Sequence, residues 1–503
     1  MIKNPVLKGF NPDPSAVKVN DTIYIATSSF LWMPGVRIYE TTDLVNYQHT
    51  CDPLTKINLE GHPLDCGIWA PQISYVDETF YLVYTIVSST KRPFKDQKNY
   101  LITAKNIKGP WSKPIYLNSS GFDPSFYHEG EKSYLLNTIW DYRLKTPNKS
   151  AGIYMQEYDR INHRLIGEPK HIFNGTKAAK TEASHLYYFA PYYYMITAEG
   201  GTGSGHQVSV CRSKDIWGPY EVDPNNPMLT ASDDPKLLLQ CAGHGSIIEF
   251  ENNLYMYHLS VRDYEGEKSI LGRETSVQPI VLEDGWLKMK SHNHHPLATI
   301  PGDFAKMKRS KPYFKQDFSK KLSPIWNSLR KYDLKNWTTK TNAGLKIISG
   351  ESIQSTHNLH LLGYRQTEFE FNAYTNLEFI PKHFNDIAAL SLYLNEENYI
   401  HFMITNDEQF GTIGRVHYKV RGESHLADEI IQISQNEYHL IEVSVRQNMV
   451  SFICDSIIYP KSFDVSYLNA GFTGNFITLS VHNLNNFKGS EATFIDFYYE
   501  GIK

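Results

Sequence analysis

At 503 residues the chain exceeds what one hydrophobic core normally organises, so two domains are expected. Its 50 basic and 54 acidic residues give a net charge of −4, with no basic block and no Lys/Arg run interleaved with aromatics, which excludes a nucleic-acid footprint. The 34 Tyr, 25 Phe and 8 Trp are a heavy aromatic load and favour β-structure.

The opening "MIKNPVLKGF" has no apolar h-region, and no stretch reaches membrane-spanning length, so no membrane partner is expected. The five cysteines (Cys51, Cys66, Cys211, Cys241, Cys454) are odd in number and scattered, with no CxxC. That speaks against a disulfide framework or a zinc site and for a reducing compartment, hence a cytoplasmic location.

Aromatic strand patterns then recur in order: "DTIYIATSS", "ETFYLVYT", "EKSYLLNT", "PYYYMITAE" and "NNLYMYHLS". Their tyrosines, Tyr24, Tyr81, Tyr134, Tyr193 and Tyr255, are spaced 57, 53, 59 and 62 residues apart. Each strand follows a short apolar run and a turn, which is a β-hairpin written five times. Five such units predict a five-bladed propeller, an architecture that leaves only short, protected strand edges.

Eleven residues before each tyrosine stand Asp13, Ala70, Asp123, Glu182 and His244. The first strand of each blade lines the channel, so this spacing brings three carboxylates and a histidine together. One Asp-Pro-Ser is a turn cap; conversion to Glu and His at a kept register is not turn chemistry. Clustered carboxylates cannot all ionise, which leaves one protonated and another charged, an acid and a base. Glycoside hydrolysis needs that division. Phosphoryl transfer lacks its Gly-rich loop and cationic cluster here. A metal site is the rival reading, although separate blades set ligands around a ring rather than at one point. The aromatic load also suits a cavity that stacks on sugar rings.

The segments "GFNPDPS", "SSFLWMPGVRIYETTDLVNY", "GIWAPQISY", "GFDPSFYHEG", "TEASHLY", "AEGGTGSGH", "GHGS" and "LGRETSVQP" run in order through the first 305 residues. In them the chain resembles family 43 glycoside hydrolases, in the β-xylosidase branch that carries a C-terminal β-sandwich. The resemblance implies inversion of anomeric configuration. It makes Asp13 the base that deprotonates water, Glu182 the acid, and Asp123 the group that orients the acid and tunes its pKa. It puts Arg273 against the hydroxyls of the first sugar, His244 below that sugar, and Phe30, Trp69 and Trp140 in the pocket wall. Thr202 falls near the acid, and His185 reads as structural. No cofactor is required, and calcium near His244 is compatible with the family. The implied substrate is a short xylo-oligosaccharide cut from its end by 1,4-β-xylosidase action. α-L-Arabinofuranosidase activity, as a side or main reaction, and a non-catalytic sugar-binding propeller are the alternatives.

After Gln278 the texture changes. "SHNHHPLATIPGDFAKMKRSKPYFKQDFSKKL" is polar, basic and proline-bearing, a linker in which "HNHH" could bind a stray metal but reads first as a solvated or interface loop. Over residues 312–503 the runs "QTEFEFNAY", "DIAALSLYL", "NYIHFMIT", "YHLIEVSVRQ", "NMVSFICDS" and "ATFIDFYYEG" alternate with period two. They predict an antiparallel β-sandwich. Composition leaves it open whether this is a separate carbohydrate-binding module. The resemblance implies a lectin-like (concanavalin A-like) sandwich packed on the propeller, with Phe472 of "AGFTGNF" closing the first subsite. A homo-oligomer, dimer or tetramer, is compatible with the sandwich surfaces.

Overall fold

The computed structural model describes residues 1–262, 269–306, 313–469, 472–484 and 489–502. The expected domain boundary at 312 and the first two residues of "AGFTGNF", Ala470 and Gly471, lie outside them. Among the described residues helix is confined to one turn, Leu334–Trp337. Everything else that is regular is strand, as the aromatic and β-branched content dictates.

Five antiparallel sheets follow one another along the chain, each built from consecutive strands. Their first strands are Ser15–Val19, Gly67–Val76, Ser125–Glu129, Glu182–Phe189 and Leu239–Phe250. These five strands contact one another in a ring, which makes the sheets the blades of a propeller.

Polar side chains stitch the ring from blade to blade. The Ala16 N–H donates to Ser246 Oγ (3.0 Å), the Ile73 N–H to Ser15 Oγ (3.1 Å), and the Phe126 N–H to Gln72 Oε1 (3.0 Å). Ser125 Oγ donates to the Ser184 carbonyl (2.5 Å), and the Ile247 N–H to Tyr187 Oη (2.8 Å). Channel-facing backbone groups have no strand partner on that side, so each bond satisfies a group that burial would otherwise leave orphaned. The segment before the first blade seals the last joint. Val6 and Leu7 donate to the Thr275 carbonyl and Asn11 to that of Arg273, and Ile2–Lys3 pairs with Thr299–Ile300.

The second domain is a sandwich. A six-stranded sheet contains Asp386–Asn395, Asn398–Asp407 and Phe476–Asn483; the facing ten-stranded sheet contains Glu370–Glu378 and Tyr438–Arg446. The latter two strands alternate buried and half-exposed residues, with Phe371, Val443, Phe402 and Phe452 in the core between the sheets. Asp386–Asn395 and Phe476–Asn483 are instead buried along their whole length. One face meets the sandwich core and the other meets the propeller.

That contact is a shared core. Trp32 of the first blade stacks on Phe476 (3.6 Å between ring centroids) and meets Tyr393 edge-on. Trp32–Met33 pairs as a short ladder with Ser328–Leu329. The Arg330 N–H donates to the Leu31 carbonyl, and Arg365 Nε to that of Phe10. One apolar cluster includes Phe10, Phe30, Ile68, Leu361 and Tyr399 together. The domains are therefore continuous in packing, which a linker between separate modules would not produce.

Candidate active site

At one repeated register, on each inner strand or just ahead of it, a residue adopts the left-handed region: Asp13 (φ 54°), Ala70 (36°), Asp123 (52°), Ala183 (48°) and His244 (56°). The hairpin registers align them, because Val17 pairs with Tyr24, Ser74 with Tyr81, Tyr127 with Tyr134, Tyr187 with Tyr194 and Ile248 with Tyr255. This corrects the repeat in the fourth blade. Its tyrosine is Tyr194, and Ala183, not Glu182, holds the repeated position. The run Tyr192–Tyr194 hides the slip, since either neighbour satisfies a tyrosine pattern.

Glu182 stands one residue earlier, where blades two and three carry Trp69 and Phe122. All three line the same cavity of about 340 Å³ at the end of the channel. Asp13, Asp123, His244, Arg273, Phe30, Trp140, Thr202 and Phe472 line it too, so every sequence-predicted site residue is gathered there. His185 is not; it lines the channel beyond the pocket, as its structural reading requires.

Asp13 is buried and fully engaged. Arg273 Nη1 donates to its Oδ1 at 2.7 Å, and Ser28 Oγ donates to its Oδ2 at 2.6 Å. His244 Nδ1 lies 3.7 Å from Oδ1. Burial pushes the Asp13 pKa up, but Arg273, His244 and the Ser28 hydroxyl together outweigh it, and the carboxyl is held below its usual range. Asp13 is ionised.

Asp123 goes the other way. Burial raises its pKa well above the carboxylate range, and the charges of Glu182 and Asp13 add to the shift against Lys95 and Arg273. Burial and the neighbouring carboxylates therefore favour the protonated form of Asp123. Glu182 Oε1 accepts a hydrogen bond from Ser150 Oγ (2.7 Å), which orients the carboxylate from the third blade. Burial lowers the pKa of His244, against the pull of Asp13, and brings that of His206 beside it to about 3.

The walls are aromatic. Phe30 (φ 51°) exchanges backbone hydrogen bonds with Ile68. Gly67 must be glycine here: its φ is +102° and a Cβ would lie 2.2 Å from the Phe30 carbonyl oxygen. Phe472, from the sandwich, stacks near Phe30 (6.1 Å) and Trp69 (5.9 Å). Its carbonyl accepts from Arg273 Nη2 (3.3 Å), and its N–H donates to Asp65 Oδ1 (3.0 Å). The sandwich thus supplies one wall of a pocket whose carboxylates belong to the propeller.

Sequence reasoning missed Lys95. Its ammonium lies over the rings of Phe122 (3.9 Å), Trp140 (4.2 Å) and Trp69 (4.8 Å), a cation–π cage at the pocket rim. Burial lowers its pKa while Glu182 and Asp123 oppose the change, so it is the cation that faces these two carboxylates. It sits in the hairpin loop of the second blade, "KRPFKDQ", where nothing in the sequence separates it from a surface lysine.

A family model described as glycosyl hydrolases family 43 matches residues 2–287, and one described as the beta xylosidase C-terminal concanavalin A-like domain matches residues 315–500. A beta-xylosidase of Bacillus subtilis is 40% identical, covering 95% of each chain. Xylosidase/arabinosidase 43B of Humicola insolens is 35% identical over all of this chain and 98% of its own. The crystal structure of a xylan beta-1,4-xylosidase from Bacillus halodurans C-125 superposes with a TM-score of 0.95 at 36% identity, covering 99% of this chain and all of the other.

The repulsion stored at Asp123 has a stability consequence. A carboxyl whose folded pKa is raised disfavours the fold as pH climbs from the unfolded value towards the folded one. Asp123→Asn removes that penalty, so it is expected to raise the thermal midpoint at pH 7–8 relative to the native chain. Each kcal/mol relieved is worth roughly 2–4 °C for domains of about 150–250 residues. The gain should vanish near pH 3, where the native carboxyl is protonated in both states. Calorimetry at the two pH values tests this; a gain independent of pH would mean that the pocket does not hold Asp123 protonated.

Proposed function

We propose that this chain, which belongs to glycoside hydrolase family 43, is an inverting exo-β-xylosidase that releases single xylosyl units from the ends of short xylo-oligosaccharides. The observation that carries the reading is the division of charge in the pocket: Asp13 is held ionised by Arg273, while burial and the neighbouring carboxylates favour a protonated Asp123, with Glu182 lining the same cavity. Asp13 takes a proton from water as the water oxygen bonds to the anomeric carbon. The bond from that carbon to the leaving oxygen breaks on the opposite face, and Glu182 supplies the leaving oxygen with its proton. Asp123, whose protonated form is favoured by burial and by the Glu182 charge, is the neighbour that orients and tunes this acid. The aromatic walls and the Phe472 side exclude water, which strengthens each of these interactions.

A pocket walled by Phe472 accepts a chain end rather than a mid-chain segment. α-L-Arabinofuranosides serve as secondary substrates in this reading, in keeping with the joined names of the relatives. No cofactor is needed. A calcium ion near His244 would want six to eight oxygens, whereas the pocket floor offers the imidazoles of His244 and His206 and an Asp13 oxygen already taken by Arg273. The residues do not fit that ion, and no step passes through it. The five cysteines are not joined in disulfides, which supports a reducing, cytoplasmic setting reached by imported oligosaccharides.

Stereochemistry tests the base. Proton NMR of β-xyloside hydrolysis is expected to show α-xylose first; early β-anomer would remove Asp13 from that role. Leaving-group dependence tests the acid. Glu182→Ala should lose about 10²–10⁴-fold on xylobiose and far less on an activated aryl xyloside, whereas Asp13→Ala should lose on both. Equal losses for the Glu182 variant would assign the acid elsewhere. Phe472→Ala is expected to leave the thermal midpoint nearly unchanged while xylobiose turnover falls at least tenfold, and full activity would show that the sandwich does not wall the subsite.

A further inference from the structure

Away from the pocket, two loops meet at a single carboxylate. Asp233 lies in "ASDDP" between blades four and five, and His294 and His295 lie in the linker "SHNHHP" that leaves blade five. His294 Nε2 is 2.8 Å from Asp233 Oδ2, and His295 Nε2 is 2.9 Å from Oδ1. The imidazoles face each other edge to face, 4.6 Å apart at 84°. The linker here is thus no plain solvated loop, because adjacent histidines turn the same ring nitrogen towards one acid.

The backbone fixes this arrangement. The Thr230 N–H donates to the His294 carbonyl (2.9 Å), the His295 N–H to Asn293 Oδ1 (3.0 Å), and Ser291 Oγ to the Asn293 carbonyl (3.0 Å). Just beyond, the Leu297 N–H donates to Gln278 Oε1, and Asn4 Nδ2 donates to the Leu297 carbonyl. This is the stretch that leads into Thr299–Ile300, the strand pairing with the N-terminal residues where the ring closes.

Three candidate ligand atoms, one from each side chain, lie within 4.8 Å of one another, and among the described residues no other such group of three is present. Zinc bonds of about 2.0–2.2 Å put neighbouring ligand atoms roughly 3.3 Å apart in a tetrahedral site. The present 2.8–2.9 Å contacts need only a small opening to admit an ion. Two imidazoles with one carboxylate and no thiolate suit a borderline transition metal rather than calcium or magnesium. The side chains are 23–53% exposed, which leaves room for water in the fourth position.

We propose that Asp233, His294 and His295 form a surface site for a divalent transition metal, zinc first, and that the bound ion pins the segment that closes the propeller ring. On binding, each Nε2 lone pair turns to the metal and the imidazole proton resides on Nδ1; nothing is oxidised or reduced. None of the three residues lines the carboxylate pocket, so the site acts on stability and not on the reaction.

Zinc titration of the untagged, EDTA-treated full chain by calorimetry tests this, alongside Asp233→Ala and His294→Ala/His295→Ala. The native protein is expected to bind one equivalent, with a thermal midpoint that climbs as free zinc exceeds the Kd. Either variant should bind more weakly by more than the ~10–100-fold that loss of an outer-shell partner costs. Both variants should hydrolyse aryl xyloside at the native rate, which also shows that they fold. No saturable binding below about 100 μM zinc, where affinity is too weak to pin a loop, would reduce the cluster to a hydrogen-bonded staple. Undiminished binding in the variants would place the metal elsewhere. Either result overturns the proposal.

Discussion

The Arg273 guanidinium joins three parts of the molecule that the chain keeps far apart. It leads into the third strand of the fifth blade, pairs with Asp13 of the first blade, and donates to the Phe472 carbonyl of the sandwich. A buried ion pair gains little net stability, since desolvation consumes most of the attraction, but breaking one is costly because the partner is left charged and dry. The Asp13–Arg273 pair therefore works as a constraint more than as a source of stability. With the ring open or the sandwich displaced, Asp13 would lose its counter-charge.

That constraint also decides where protons sit. Three carboxylates converge on one cavity, and a single fixed cation close to one of them breaks their equivalence. Asp13 is pulled down, while burial and the charges of Glu182 and Asp13 push Asp123 up. Lys95 faces that pair from the rim, caged by Phe122, Trp140 and Trp69, so its charge reaches the acid side of the pocket without neutralising it through a direct bond. Asp13 and Asp123 thus differ through their neighbours, not through their residue type.

Much of this was legible in the sequence because the propeller is written locally. A hairpin needs only its own two strands and turn, so five hairpins and their aspartates could be read from spacing, and the alternating strands of the sandwich likewise. What failed were details set by register or by distant contacts. The triple tyrosine concealed the one-residue slip that puts Ala183 at the repeated position and Glu182 beside it. Strands Gly411–Val420 and Glu423–Gln432 were missed because they are rich in polar and charged residues and half-exposed, so the apolar alternation fades. Lys95 and Asp233 carry no local mark: one depends on three rings from two blades, the other on two histidines some sixty residues away.

The same contrast explains why the sandwich is part of the catalytic unit rather than an appendage. Trp32 lies two residues from Phe30 in the first blade; one ring stacks on Phe476 of the sandwich and the other forms the pocket wall. Phe476 in turn is four residues beyond Phe472, which stacks with Phe30 in the cavity wall. Two short segments, one from each domain, therefore each supply an aromatic to the shared core and an aromatic to the site. Cores are close-packed and do not deform continuously, so the inter-domain stack holds the distance between the two pocket rings. Specificity for a chain end is then a property of domain docking, fixed by packing that lies outside the pocket.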